Sequence, residues 1–493
     1  MTARLFLQAV AVTALALPAS LPAQAANHGQ APGADTAAAI PISHHDRVYA
    51  AEQFSNTVSV TDPFDNTLLG VIRLGDPQPG NLSPLYRGQL LVHGLGFSPD
   101  HKTLAVVSIG SNSVTFIATA NNAVQHVSYV RRSPHEVFYT PDGTEIWITV
   151  RGEDYIQVLD ATSYQEKTVM KVAPGPGMQI FSPDGKYAYV CSSFTPQTTV
   201  IKVADHTIAA TVKQESPFCP NIAATPDGKQ VWFTLKDVGH VQVFDAHPPF
   251  KILKTLDTGP LTNHVNFASN ANGTFAYVTV GGLNQVQVFK TSDFSKVATI
   301  STGKLPHGIW PSGDGTMMYV GLENGDGLSA INTISNKVIA TIPIGQAPQA
   351  VVYVPNAVPS GSGKGNLQPL ENAGHVVHLS LDAVATGKPR VADVGPTSVS
   401  LFDQGFTQIV QASVSGLKPK TRYVLALSAM ANGHGDLQPL ADFTTNPAGA
   451  AVVNAVGPIR QLVQGEGKLP RRYLVIATGT GDAPGGAVQV QGP

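Results

Sequence analysis

Residues 134–173 read PHEVFYTPDGTEIWITVRGEDYIQVLDATSYQEKTVMKVA. Four short runs rich in Val, Ile, Tyr and Trp alternate with Gly, Asp and Pro turns, which is the pattern of consecutive strands. The Asp142-Gly143 step between the first two runs is a strong hairpin signal. Four antiparallel strands in about 40 residues make one propeller blade. The pattern returns from Ser182 as SPDGKYAYVCS, from Thr225 as TPDGKQVWFTL and from Asn272 as NGTFAYVTV.

The first residues of the inner strands recur at one repeat position. They are His93, His135, Gly177, Pro220, His264, His307 and Gln349, at steps of 42 to 44 residues. Residues 47–74 supply strands two to four without a first strand, and 348–355 supply a first strand with nothing after it. Pairing them completes a seventh blade and removes two exposed sheet edges. The expected fold is all-β: a seven-bladed β-propeller over 45–356 with first/last blade closure, a linker over 357–374, and a small β-sandwich over 375–493. VSGLKPKTRYVLALS at 414–428 resembles a fibronectin type III strand–turn–strand signature.

Composition narrows the function classes. Of 493 residues, 13% are charged, and the formal net charge is -2. That balance gives no electrostatic reason to expect nucleic acid. Residues 1–25 read as a signal peptide: Arg4, the apolar run Leu5 to Leu17, and Ala23-Gln24-Ala25 before the cut. The run is too short for a membrane span. Residues 26–44 are expected to form a disordered lead, and the mature chain to be periplasmic or secreted. Cys191 and Cys219 are the two cysteines. An oxidising compartment permits a disulfide between them, with two buried thiols as the alternative.

SPDGKYAYVCS at 182–192, TVSVTD at 57–62, TFAYVTV at 274–280 and QVQVFK at 285–290 resemble the YVTN-repeat family of exported bacterial propellers. The resemblance implies the propeller fold. It leaves function open, because such rings serve as enzymes, metal carriers and binding scaffolds. The wider superfamily includes copper-dependent nitrous oxide reductases and thiocyanate dehydrogenases, whose mouth histidines hold copper. Only four of seven positions are His here, and the cysteine-rich electron-entry domain of nitrous oxide reductases is absent.

Ring closure would gather His93, His135, His264 and His307 at one mouth, and imidazole suits zinc or copper. The alternative is a polar channel in which the rings bond water or backbone. Rim loops add Arg87, Arg151, Glu153, Lys236 and Glu323, with Gln349 on the ring itself. The expected partner is a metal ion or small molecule, with proteins as possible partners of the C-terminal domain. Hydrolase or oxidoreductase chemistry at the same mouth, and a protein-binding scaffold, are the competing functions.

Overall fold

The computed structural model describes residues 40–75, 90–373, 376–384, 396–404, 407–456, 459–465 and 470–492. The expected signal peptide, residues 26–39 of the lead and Arg87 lie outside the described residues.

Seven four-stranded antiparallel sheets form the ring. Blades 1 to 6 start with the inner strands Val92–Phe97, Pro134–Tyr139, Pro176–Phe181, Ile222–Ala224, Thr262–Asn270 and Pro306–Pro311. Blade 7 is composite. Pro348–Val354 pairs antiparallel with Arg47–Glu52, placing Ala50 opposite Val351, and the sheet continues through Thr57–Asp62 and Thr67–Arg73. No blade can bury both its faces alone, so blades stack and share cores.

The second strands carry an aromatic at one register position: Tyr49, Trp147, Tyr189, Trp232, Tyr277 and Tyr319, all fully buried. Several of the tyrosines tie one blade to the next. Tyr189 donates to Ala246 O at 2.9 Å, Tyr277 to Thr333 O at 3.2 Å, and Tyr319 to Pro63 O at 3.2 Å. A buried phenol needs such a partner. The Pro-Asp-Gly turns are structural: Thr140 donates to Asp142 at 2.6 Å and Ser182 to Asp184 at 2.7 Å. Gly143 then takes a φ of 71°, and His101 stands at a φ of 62° in the corresponding turn of blade 1.

Residues 40–44, read from sequence as part of the lead, reach the ring, where His44 Nδ1 meets Asp62 Oδ2 at 2.9 Å. Residues 357–373 form a strap. Asn122, in an outer turn of blade 1, donates to Gly363 O at 2.8 Å and Gly365 O at 3.0 Å. Gln368 then bridges Val71 on the outer strand of blade 7. The chain thereby climbs from the rim opposite the histidines to the rim that carries them.

The C-terminal domain is one eight-stranded antiparallel sheet. Its order runs Leu437–Thr444, Arg422–Ser428, Tyr473–Thr480, Ala483–Gln491, Val376–Ala383, Thr397–Gln404, Thr407–Val414, Ala451–Val456. The sheet curls over a core of Leu381, Val399, Val410, Leu425, Leu474 and Ile476, consistent with a β-sandwich. Among the described residues no helix is long and apolar enough to cross a membrane.

Candidate functional site

Each histidine sits at a register slip. In blade 2, Pro134 pairs with Val150 and Val137 with Ile148, so His135 and Glu136 together face the one residue Thr149. The same slip falls between Val92 and Leu95, Thr262 and Val265, and Pro306 and Ile309. Such a bulge re-aims side chains that strict alternation would send to opposite faces. Threonine hydroxyls on the facing strands accept the freed amides: Glu136 N to Thr149 at 2.9 Å and His264 N to Thr279 at 2.8 Å.

The four imidazoles are buried, 5–6% exposed, and they form two pairs. His93 and His135 lie with ring centroids 4.2 Å apart, and His264 and His307 with centroids 4.6 Å apart. Glu136, which follows His135 in the same strand, completes the first pair. Its Oε1 is 3.8 Å from His93 Nδ1 and 3.9 Å from His135 Nδ1. Those three residues can each direct a ligand atom to within 4.8 Å of the others, and among the described residues no other His, Cys, Asp or Glu joins such a group. The Nδ1 atoms of His93 and His135 make no hydrogen bond of normal geometry, but the backbones of His135 and Gly177, each in the next blade, lie near enough to interact with the two rings.

The second pair is differently satisfied. His307 Nδ1 meets Gln349 O at 2.8 Å, so it carries the proton and leaves Nε2 as acceptor, 4.0 Å from Glu323 Oε2. His264 Nδ1 lies 3.3 Å from Asn221 Nδ2. Asn221 Oδ1 accepts from Val265 N at 3.0 Å, which fixes the amide orientation. His264 Nδ1 is therefore the acceptor.

Burial dominates the electrostatics. Desolvation, reinforced by the Arg151 charge, holds His93 down to about 3, and desolvation takes His264 to about 3. It pushes His135 and His307 well below the usual range, and Glu136 well above the usual carboxylate range. A buried neutral imidazole presents the lone pair a metal requires.

The rim residues divide. Lys236, Glu323 and Gln349 are buried at the mouth. The Arg151 guanidinium lies between two rings, 5.5 Å from Phe194 and 5.3 Å from Phe218. Glu153 turns away and pairs with Arg132 at 3.0 Å on the surface. The arc without histidine is filled by structure. A Cβ on Gly177 would fall 2.4 Å from Ser193 Oγ and 3.0 Å from Cys219 O, and Cys191 and Cys219 are disulfide-bonded beside it. Below the imidazoles, Phe138, Met178, Ile180, Ile222, Val265, Ile309 and Val351 narrow the axis to a cavity of about 20 Å³. That is room for roughly one water.

The mouth has a roof that the sequence reading missed. Asn324 Nδ2 donates to Ser398 Oγ at 2.9 Å and Ser413 Oγ at 3.1 Å. His378 joins Asp326 at 2.9 Å, Ala448 N donates to Asp237 O at 3.1 Å, and Phe54 packs on Phe402 with centroids 4.0 Å apart. Leu261, Leu305 and Ala450 form another apolar contact. The C-terminal domain thus sits on the loops of blades 4 to 7 at the histidine end.

Fold and site define a seven-bladed β-propeller whose histidine-bearing mouth is covered by a second β domain. The model of a family described as lactonase, 7-bladed β-propeller, matches residues 130–333. Protein NirF of Stutzerimonas stutzeri is 26% identical over 130 residues, a match covering 26% of this chain and 32% of NirF. The chain thus matches about a third of that curated relative's length. Hydrazine synthase of Kuenenia stuttgartiensis superimposes with a TM-score of 0.50 at 21% identity, over 54% of this chain and 90% of that one. A functionally unknown protein from Desulfotomaculum acetoxidans gives 0.52 at 16% identity, over 62% and 98%. These likenesses bear on the fold alone.

Proposed function

We propose that this chain is an exported, periplasmic propeller of the YVTN-repeat kind that holds one transition-metal ion, copper or zinc, on His93, His135 and Glu136. The observation that carries the reading is the convergence of those three buried groups, whose ligand atoms lie within 4.8 Å of one another. Two nitrogens and one oxygen suit zinc or copper, and three protein ligands leave a coordination position open. When bound, such an ion supplies Lewis acidity to whatever ligand takes that position. A cation there also gives the Glu136 carboxylate the counter-charge that burial otherwise denies it.

His264, His307 and Glu323 face the same mouth as a hydrogen-bonding and proton-handling set. Glu323 lies 4.0 Å from His307 Nε2 and can order that ring. Metal analysis of protein purified without chelator tests the reading. About one ion per chain is expected, and a value near zero that persists after zinc or copper is added would remove it.

A second reading is favoured by the lactonase family match. In it the same mouth hydrolyses a cyclic ester, with His307 as base. A lactone screen comparing the wild type with His307→Ala decides it; turnover that is unchanged in the variant rules it out.

A further inference from the structure

The mouth carries two desolvated cations, Lys236 and Arg151, that no carboxylate among the described residues approaches within salt-bridge distance. Lys236 stands on the loop between strands two and three of blade 4 and is only 8% exposed. Its ammonium lies 5.8 Å from the centroid of the Phe218 ring. Arg151 occupies the equivalent loop of blade 2, and its guanidinium lies 5.3 Å from the same ring. Among the described residues neither makes a salt bridge or a side-chain hydrogen bond, and Arg151 Nε is buried without a partner. The charged groups nearest Lys236 are Glu323, Asp237 and Arg151. Asp237 is engaged by Asn446 of the C-terminal domain.

Two like charges, both desolvated, are unfavourable unless something compensates them. The aromatic ring offers each a modest cation–π attraction. It does not supply hydrogen-bond acceptors. Surface lysines of this chain show the contrast: Lys167 pairs with Glu145 at 2.8 Å and Lys186 with Asp184 at 2.8 Å. Purely structural roles would have been met by such a carboxylate, or by an apolar residue of similar volume.

We infer that Arg151 and Lys236 form the binding site for a small oxyanion, carboxylate or inorganic, which enters the mouth beside the imidazoles. A planar guanidinium fork and a compact ammonium are complementary to oxygen pairs of that kind. The Phe218 ring forms the floor between them. The contacts of the C-terminal domain fall on blades 4 to 7, and Phe194, beside Arg151, is 60% exposed. Entry is therefore from the side of blades 2 and 3. The anion's place next to an ion rests on the metal reading above; the cation pair itself does not.

The test uses the full mature chain in chloride-free buffer. Inorganic phosphate, nitrate, acetate and oxalate are the probes, read by calorimetry and thermal shift, against Lys236→Met and Arg151→Met. At least one probe is expected to bind and raise the wild-type Tm. Each variant is expected to lose affinity tenfold or more while its Tm without anion stays level or rises. A preference for phosphate or nitrate assigns an inorganic ligand, and one for acetate or oxalate an organic carboxylate. Anion binding that is equal in wild type and both variants, or no response of the wild type to any probe, overturns the inference. Metal content is measured on the same samples. Zero metal with intact, variant-sensitive anion binding removes the metal reading and supports this one; full metal with no anion response does the reverse.

Discussion

Gly94 and Glu136 compete for one volume: a Cβ added to Gly94 would lie 2.7 Å from Glu136 Oε2 and 2.3 Å from His135 O. The missing side chain in blade 1 is what lets the carboxylate of blade 2 reach the space between His93 and His135. Gly94→Ala is expected to displace Glu136, cost about 1–3 kcal/mol of stability through overpacking, and lower metal stoichiometry. Melting together with metal analysis checks this; an alanine variant with unchanged metal content would break the link.

Removal of the proposed ligands would separate the two histidine pairs. His135→Ala and Glu136→Gln are expected to lose metal tenfold or more in affinity. His264→Ala, on the pair already engaged by Asn221, is expected to retain it. Competition with a chromogenic chelator measures all three. Equal loss from both pairs would mean one shared coordination sphere.

The ring has a pH-sensitive joint at Glu52. Burial raises its carboxyl from 4.5 to about 7, against hydrogen bonds from Ser59, Thr57 and Gly345 and with the Asp326 charge adding to the rise. The folded state therefore holds the proton more tightly than the unfolded chain. The associated stability is fully present below pH 4.5 and is lost as pH rises through about 7. The loss amounts to about 3 kcal/mol at 1.36 kcal/mol per unit. Glu52→Gln is expected to flatten this part of the stability profile between pH 5 and pH 8, as denaturant titrations would reveal.

The disulfide braces the arc that has no histidine. Cys191 and Cys219 are 28 residues apart and join blade 3 to the entry of blade 4. Replacing both with serine is expected to cost about 2–4 kcal/mol, chiefly by freeing the unfolded chain. Differential scanning calorimetry of the reduced and double-serine forms gives the value.

The C-terminal domain is expected to limit access to the mouth from the side of blades 4 to 7, where its contacts fall. Phe54→Ala combined with Asn324→Ala removes an aromatic contact and two hydrogen bonds to the C-terminal domain. Faster metal extraction by chelator and faster hydrogen exchange in the 397–414 strands are expected. Unchanged extraction would show that ligands reach the site by a path the roof does not govern.

The sequence by itself determined the ring. A step of 42 to 44 residues, Pro-Asp-Gly turns and two complementary incomplete ends leave seven blades as the consistent closure, because unpaired sheet edges are costly. It also singled out the four histidines, since a repeat places equivalent positions on one rim. It could not reveal Glu136. Alternation sends neighbours in a strand to opposite faces, and only the paired register exposes the bulge that turns His135 and Glu136 the same way. Nor could it reveal that the imidazoles divide into two pairs, that Arg151 and Lys236 share the Phe218 ring, or that the C-terminal domain covers the mouth. Those relations join residues far apart in the chain. Their distances depend on blade packing and domain docking, which no local pattern of residues encodes.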